Sequence, residues 1–433
     1  MPKWCLCAGV LSAALILLLR SVPVHAELPV TGAAATPDYW LRADGDIPLL
    51  TQEAIAAYAR QCAAEGLVHD LVRASKSRAG AMVRAYIHEA AQGNDCALPE
   101  LYAGGQSLSV EKWRTVCDNC ATEGIGANVT VRFAVAVRRA DVRLLPTEEG
   151  WYESPNAAHY DALQGTVLDP GEAVLVLHHS RDAQFAFVET RDYRGWVDAR
   201  ALAETDARTW RSFAAPKEFF TVTAAQFRIE GADLLYQLGA KIPGRRAPDG
   251  TLRILLPMRD AEGHLAVREG RIPDDGRLGS GRLSLTHNNL VRLAFAPLYT
   301  EYGWGGENDG MDCSSYVQDI YRAMGVELPR DADMQERACR LLPLAGLSTA
   351  ERYARLAEVP PGALLFRPGH VMLYLGRDVG KVPLVIHDIS SYYEDGAENY
   401  IRQVVVSTLD FQNANGTAAI DTLDAIGFIA PAP

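Results

Sequence analysis

Long hydrophobic runs and low-complexity tracts are missing from almost the whole sequence. After Leu19, no apolar segment of the 433 residues reaches the roughly 20 residues that a transmembrane helix needs. Hydrophobic residues make up 48% of the chain and charged residues 22%, which is the balance of a globular protein. At about 100 to 200 residues per domain, this length indicates several domains. We therefore expect a multidomain protein without an integral membrane segment in its mature form.

Positive charge is also in short supply. The chain has 42 Lys and Arg residues against 54 Asp and Glu residues, a formal net charge of -12. An acidic surface repels the phosphate backbone of nucleic acids and lacks the basic patches that bind anionic polymers or lipids. We therefore expect no nucleic acid partner, and a diffusible substrate rather than tight adhesion to a charged surface.

The first 26 residues have the pattern of an export signal. Lys3 supplies positive charge, an apolar run extends from Val10 to Leu19, and Val24-His25-Ala26 resembles a small-residue cleavage site. An uncleaved membrane anchor is the alternative, but the apolar run is short for one. We predict that residues 1–26 are a signal peptide and that the mature chain, expected to be a monomer, is exported to the periplasm or the extracellular space.

Cysteine is scarce once the predicted signal peptide is removed. Six cysteines then remain, namely Cys62, Cys96, Cys117, Cys120, Cys313 and Cys339. In an oxidising compartment some of them could form disulfides, and the sequence leaves the pairing open. Cys117 and Cys120 have the spacing of half a zinc site, but no second Cys or His pair follows at ligand spacing, and a structural zinc needs four ligands. We therefore expect no metal and no cofactor.

Hydrophobic periodicity divides the mature chain into four regions. Residues 27–127 have helical spacing, especially from Thr51, a plausible helix cap, to about Gln92, and are predicted to stabilise the rest. Residues 128–204 alternate with period two and contain short strand-like runs, which predicts a small β-barrel. Residues 205–285 contain a second set of strand-like runs around a predicted loop at 242–250. Residues 286–433 have helical runs followed by strands, the order of an α+β domain.

Cys313 is the first candidate catalytic residue. It follows a glycine-rich segment, Tyr302 to Gly310, and opens a helical run. A helix N-terminus presents partial positive charge and unpaired N–H groups, which would lower the thiol pKa and stabilise an oxyanion. A buried structural cysteine is the alternative. The position therefore indicates a nucleophile that needs a base.

Two histidines in the following strands can supply that base. His370 begins an apolar strand about 57 residues after Cys313, and an imidazole can take and return the thiol proton. His387 ends the next strand, so it could lie beside His370 and orient it. Asp388 competes for this third role, but its side chain points to the opposite face of the strand from His387. We favour Cys313, His370 and His387.

These segments together resemble the NlpC/P60 family of papain-like cell-wall peptidases. The resemblance covers about residues 286–428 of the predicted domain 286–433. It depends on the Tyr302–Gly306 loop, Asp312-Cys313-Ser314, Leu328-Pro329-Arg330-Asp331, Gly369-His370-Val371 and the His387 strand. Residues 128–204 resemble bacterial SH3-like domains, on the segments 160–164, 176–180 and 193–197. The resemblance implies an α+β papain-like catalytic domain preceded by two small SH3-like β-barrels (128–204 and 205–285) and a helical N-terminal region.

The resemblance also implies an activity. Members of the multidomain subgroup are γ-D-glutamyl-L-diamino acid endopeptidases that act on short murein peptides with a free N-terminal L-alanine. Cys313, His370 and His387 match the family's catalytic positions, and Asp312 and Ser314 match positions that hold the peptide's amino end. The first SH3-like domain is implied to border the active site and limit access to it.

Four further residues are candidate substrate contacts, each with a structural alternative. Tyr193 matches a pocket tyrosine of the SH3-like domain or simply packs in its core. Arg330 and Asp331 match a motif near the cleft or form a supporting ion pair. Tyr302 is a candidate second oxyanion donor or a packing ring. Two other functions remain open: a cell-wall amidase or acyltransferase of the same fold, and a catalytically silent wall-binding scaffold.

Overall fold

The computed structural model describes residues 27–91 and 100–431. The predicted signal peptide and Cys96 lie outside these ranges. The α-helices of the described ranges are α1 (Pro37–Trp40), α2 (Gln52–Ala64), α3 (Gly80–Ala90), α4 (Val110–Asn119), α5 (Ala207–Ala214), α6 (His287–Phe295), α7 (Cys313–Ala323), α8 (Ala332–Ala338) and α9 (Thr349–Leu356). No helix in these ranges is long and apolar enough to cross a membrane.

The strands form several separate antiparallel sheets. In chain order they are β1 (Ser77–Ala79), β2 (Tyr102–Ala103), β3 (Gln106–Ser107), β4 (Asn128–Thr130), β5 (Arg132–Ala136), β6 (Ala140–Arg143), β7 (Trp151–Tyr152), β8 (Gln164–Leu168), β9 (Ala173–His179), β10 (Phe185–Glu189), β11 (Arg194–Asp198), β12 (Leu202–Thr205), β13 (Phe219–Val222), β14 (Gln226–Ile229), β15 (Leu234–Gln237), β16 (Lys241–Arg246), β17 (Leu252–Arg259), β18 (Leu265–Ile272), β19 (Leu278–Ser280), β20 (Arg340–Pro343), β21 (Leu364–Arg367), β22 (His370–Arg377), β23 (Pro383–Glu394), β24 (Ala397–Ser407) and β25 (Ala425–Phe428).

The N-terminal region packs against two different partners. Thr51 caps α2, and its hydroxyl oxygen accepts a hydrogen bond from the Ala54 N–H at 3.2 Å. The helix buries Ile55 and Tyr58 in the core of the C-terminal domain, whereas Trp113 of α4 packs against the first β module. The predicted helical stretch is interrupted after α2, where Gly66 adopts a φ of +73°. The region thus joins the first and last domains.

The first β module is a seven-stranded sheet with the order β12-β5-β9-β10-β11-β6-β8. Small aliphatic side chains such as Ala134 and Val142 fill its inner face. Larger side chains such as Phe187 and Trp196 lie on its outer face, under the N-terminal helices. Both faces are therefore buried, which explains why Ala134, Val135 and Ala136 are all inaccessible although the sequence predicts an alternating, half-buried strand.

The second β module is a five-stranded sheet, with the order β18-β17-β16-β13-β19, and a separate β14-β15 hairpin. The predicted loop at 242–250 is wrong in its first half, because β16 extends through Arg246. Pro243 is tolerated there because residues up to Pro243 pair with β13 and residues from Gly244 onward pair with β17. The proline therefore stands at the change of partner, where one missing N–H does not interrupt a ladder.

The C-terminal domain has the predicted α+β organisation. Its six-stranded sheet has the order β20-β25-β21-β22-β23-β24. Helices α6 and α7 cover one face, where Tyr316 and Ile320 pack against Val371 and Ile386. The other face carries a second core that includes Phe411. This arrangement places the N-terminus of α7 beside the start of β22, where the candidate nucleophile and base are located.

Candidate active site

Cys313 is the first residue of α7, and Asp312 caps the helix. The Asp312 carboxylate accepts a hydrogen bond from the Ser315 N–H at 2.9 Å, and the Ser315 hydroxyl accepts one from the Asp312 N–H at 2.9 Å. This reciprocal pair is a capping box that fixes the entry of the chain into the helix. The Cys313 sulfur also interacts with the backbone N–H of Val371, the residue after His370. Cys313 is therefore held against the first residues of β22.

The thiol of Cys313 is buried, and this reverses an expectation from the sequence. Burial raises the pKa of Cys313 to about 12, and the negative charge of Asp312 adds to the effect, while the Val371 N–H opposes it. The predicted lowering of the thiol pKa is therefore wrong for this structure, because burial outweighs the hydrogen bond from the Val371 N–H. The resting cysteine is a neutral thiol, and its proton must be removed for attack.

A chain of hydrogen bonds runs from His370 into the domain. His370 Nε2 lies 2.8 Å from His387 Nδ1, and His387 Nε2 lies 3.0 Å from Ser407 Oγ. Burial lowers the pKa of His370 well below its usual value, assisted by the charges of His387 and Arg367, and burial lowers the pKa of His387 to about 3. Both imidazoles are therefore neutral. If each Nε2 carries the hydrogen, His370 Nδ1 remains free to accept a proton.

Asp388 and Ser407 bear on which residue orients His370. Asp388 is fully buried on the opposite face of β23, and neither carboxyl oxygen has a hydrogen-bond partner among the described residues. Burial and the charge of Asp312 raise its pKa well above the usual value, which favours the protonated carboxyl group. Ser407 was not predicted. It lies two residues beyond Val405, the residue that pairs with His387, and only the strand register reveals this position.

Asp312 is engaged by an internal network. Its two carboxylate oxygens accept hydrogen bonds from the N–H groups of Gly305 and Ser315, the hydroxyl of Ser314, and both terminal nitrogens of Arg330. Burial alone would raise the pKa of Asp312, but the charge and hydrogen bonds of Arg330 outweigh it and hold the pKa below its usual value. The structure thus brings together three of the predicted substrate residues, Asp312, Ser314 and Arg330, beside Cys313.

Arg330 also links the catalytic domain to the first β module. Its Nε donates a hydrogen bond of 2.9 Å to the Thr166 hydroxyl on β8. Tyr193 of the same module packs against Gly165, where an added Cβ would lie 2.5 Å from the tyrosine ring. Burial raises the pKa of Tyr193, and the charges of Asp331 and Arg330 also act on it. Tyr193 and Asp331 therefore lie near the Asp312–Arg330 pair.

Tyr302 is covered by the first β module. Its ring centroid lies 6.1 Å from that of Tyr160, which also packs against Trp304 at 5.8 Å. Glu307 accepts hydrogen bonds from the N–H groups of Tyr160 and Asp161, at 3.3 Å and 3.1 Å, and fixes this segment over the site. Burial raises the pKa of Tyr302, so its hydroxyl stays protonated. Tyr160 was not predicted as a site residue, because its position depends on how two domains dock.

Metal ligands and disulfides are not part of this site. In residues 27–91 and 100–431, no group of three His, Cys, Asp or Glu side chains is placed to hold a metal ion. Cys62, Cys120, Cys313 and Cys339 are free cysteines. A thiol at a helix N-terminus, together with a pair of neutral imidazoles, can perform nucleophilic attack with a histidine as proton acceptor and donor.

Comparison with known families agrees with this geometry. Residues 299–406 match the NlpC/P60 family. Residues 151–198 match the SH3 domain of the SH3b1 type. The first match contains Cys313, His370 and His387, and the second contains Tyr160 and Tyr193. The two matched segments are therefore those whose contact forms the candidate site.

Proteins similar to this chain include two curated relatives and a solved structure. It is 38% identical over 90 residues to dipeptidyl-peptidase 6 of Lysinibacillus sphaericus. This alignment covers 21% of this chain and 29% of the relative. It is 36% identical over 92 residues to the γ-D-glutamyl-L-lysine dipeptidyl-peptidase of Bacillus subtilis (strain 168), in an alignment that covers 21% of this chain and 30% of the relative. An NlpC/P60 endopeptidase from Photobacterium damselae subsp. piscicida superimposes with a TM-score of 0.75 and 15% identity, over 93% of this chain and 98% of that one. This last likeness shows the fold alone.

Proposed function

Because the chain carries an NlpC/P60 domain and an SH3b-type domain, we propose that it is an exported cysteine peptidase of the periplasm or extracellular space. Its substrate is a murein peptide with a free N-terminal L-alanine, and it hydrolyses the bond between γ-D-glutamate and the L-diamino acid, diaminopimelate being expected. The observation that carries this proposal is the hydrogen-bond chain from His370 through His387 to Ser407, beside a cysteine at a helix N-terminus. The choice of bond is supported by the similarity to the γ-D-glutamyl-L-lysine dipeptidyl-peptidase of Bacillus subtilis.

The proposed reaction is acyl transfer through Cys313. His370 accepts the thiol proton as the sulfur attacks the γ-glutamyl carbonyl carbon, and a carbon–sulfur bond forms. The Cys313 N–H at the start of α7 and the Tyr302 hydroxyl stabilise the oxyanion. His370 then protonates the departing amine and the carbon–nitrogen bond breaks. Water attacks the thioester with His370 as base, which releases L-Ala-γ-D-Glu and restores the thiol.

The position of the first β module supports a substrate that is a short peptide. The Tyr160 segment lies against Tyr302 and Trp304, and Glu307 holds it there. We propose that this contact closes one end of the cleft, near Asp312, Ser314 and Tyr193, where the free amino end of the peptide is bound. The catalytic domain carries the chemistry, whereas the SH3b-type domain limits the length of peptide that can enter.

A matched pair of peptides tests this function. The mature protein is incubated with L-Ala-γ-D-Glu-diaminopimelate and with the same peptide acetylated at its N-terminus, and free diaminopimelate is detected by mass spectrometry. The proposal predicts release from the first peptide and little from the second. No release from either peptide would contradict a peptidase of this specificity. Equal release from both, or rapid clearing of intact sacculi, would indicate an enzyme that acts on the assembled wall.

A further inference from the structure

Arg367 is a guanidinium placed directly opposite the proposed base. It ends β21, His370 begins β22, and the two residues are paired across the Pro368-Gly369 turn. Gly369 has a φ of +70°, the conformation that the third residue of a type II turn requires. Directly paired residues of antiparallel strands share one face, with their Cβ atoms about 4.5–5.5 Å apart. The side chains of Arg367 and His370 are therefore neighbours.

Within residues 27–91 and 100–431, no carboxylate neutralises the charge of Arg367. Its guanidinium lies over the ring of Phe411, with 5.6 Å from Cζ to the ring centroid, and Phe411 in turn packs against His387 at 5.6 Å. Its Nη1 is buried and has no hydrogen-bond partner among the described residues. Burial lowers the pKa of Arg367, and the group that opposes this is Cys313, with no carboxylate contributing. Arg367 is half-buried, and a cation that is partly removed from water without an ion-pair partner is costly, so a bound anion would relieve that cost.

The proposed reaction indicates which anion belongs there. A general acid must lie about 2.6–3.2 Å from the nitrogen that it protonates, so the leaving amine is beside His370. In a diamino acid, the carbon of the α-carboxylate is two bonds from that nitrogen. The α-carboxylate of the leaving residue is therefore the anionic group nearest to Arg367. Arginine binds a carboxylate through two parallel hydrogen bonds, and its planar shape also stacks on an aromatic ring.

We propose that Arg367 binds the α-carboxylate of the leaving diamino acid. This inference rests on the proposed function, and it specifies which leaving group the enzyme prefers. An α-carboxylate is free only when the diamino acid is the last residue of the peptide. The enzyme therefore selects peptides that end at the diamino acid over peptides that continue beyond it.

Amidation of a single carboxyl group tests the inference. The two substrates are L-Ala-γ-D-Glu-diaminopimelate and its analogue with a carboxamide in place of the α-carboxylate next to the cleaved bond. Wild type is expected to cleave the acid roughly 10- to 100-fold more efficiently in kcat/KM, the range of charge-assisted hydrogen bonds. Arg367→Gln is expected to cleave both at the rate of the carboxamide, and Arg367→Lys to retain part of the preference.

Arg340→Gln is the matched control. Arg340 also lies over a phenylalanine, with its Cζ 5.5 Å from the Phe428 centroid, but on β20, at the edge of the same sheet. This variant is expected to keep the wild-type preference. A wild-type preference near one, or an Arg367→Gln variant that loses activity on both peptides equally, would overturn the inference and leave the proposed function standing. Failure of wild type to cleave either peptide would overturn both.

Discussion

Arg330 donates hydrogen bonds to both carboxylate oxygens of Asp312, at 2.5 Å and 3.1 Å, and both side chains are buried next to Cys313. The pair is a structural support as well as part of the proposed amino-end site. Removing one partner of a buried ion pair leaves an uncompensated charge, which typically costs about 3–5 kcal/mol. The stability of the catalytic domain should therefore depend on Arg330.

We expect Arg330→Met to lower the thermal unfolding midpoint by several degrees at pH 7, and Arg330→Lys to recover part of the loss. Arg330 holds the pKa of Asp312 below its usual 3.8. The ion pair therefore contributes to folding stability above about pH 4, and this contribution is lost as the pH falls further. The difference in unfolding midpoint between wild type and Arg330→Met should therefore become smaller at acidic pH. Calorimetry at several pH values measures this, and equal midpoints at pH 7 would contradict the prediction.

His387 should make the protein sensitive to acid. Its pKa is about 3 in the folded protein against 6.5 as the ordinary value, because burial disfavours the charged imidazole. Between these two pH values the unfolded chain binds more protons, so the stability is fully present above pH 6.5 and decreases as the pH falls toward 3. His387→Gln should show a weaker pH dependence in this window. His264 is exposed, and His264→Gln is the control. If folding stability depends on pH in the same way in both variants, the acid sensitivity does not come from His387.

Tyr302 can be tested as an oxyanion donor by removing one atom. Tyr302→Phe keeps the ring that packs against Tyr160 but loses the hydroxyl. Loss of an oxyanion donor reduces kcat by about 100-fold or more, with little change in KM. Steady-state kinetics on the tripeptide distinguishes this from a packing role, for which kcat would stay close to the wild-type value.

The state of the resting cysteine has a direct chemical readout. Because burial raises the pKa of Cys313 to about 12, we expect slow alkylation by iodoacetamide at pH 7 and a rate that keeps rising up to pH 9. A preformed thiolate would instead react quickly at neutral pH, with a rate that is independent of pH. Peptide mapping of the alkylated chain assigns the rate to Cys313, and a neutral-pH plateau would contradict the buried thiol.

Much of the site was predictable because it depends on local patterns. The alternation of a strand separates His387 from Asp388, and helical spacing places Cys313 at a helix start. Ser407 and Arg367 were not predicted, because their positions follow from strand register, and Tyr160 depends on the docking of two domains. The thiol pKa was predicted in the wrong direction for the same reason, since burial is a property of the whole fold.

The central claim is that Cys313 is the nucleophile of a peptidase, and replacing it tests this most directly. Wild type, Cys313→Ala and, as a control for a second free buried cysteine, Cys120→Ala are incubated with L-Ala-γ-D-Glu-diaminopimelate, and the release of diaminopimelate is measured. We predict that Cys120→Ala cleaves like wild type and that Cys313→Ala shows no detectable cleavage. Undiminished release by Cys313→Ala would contradict the account.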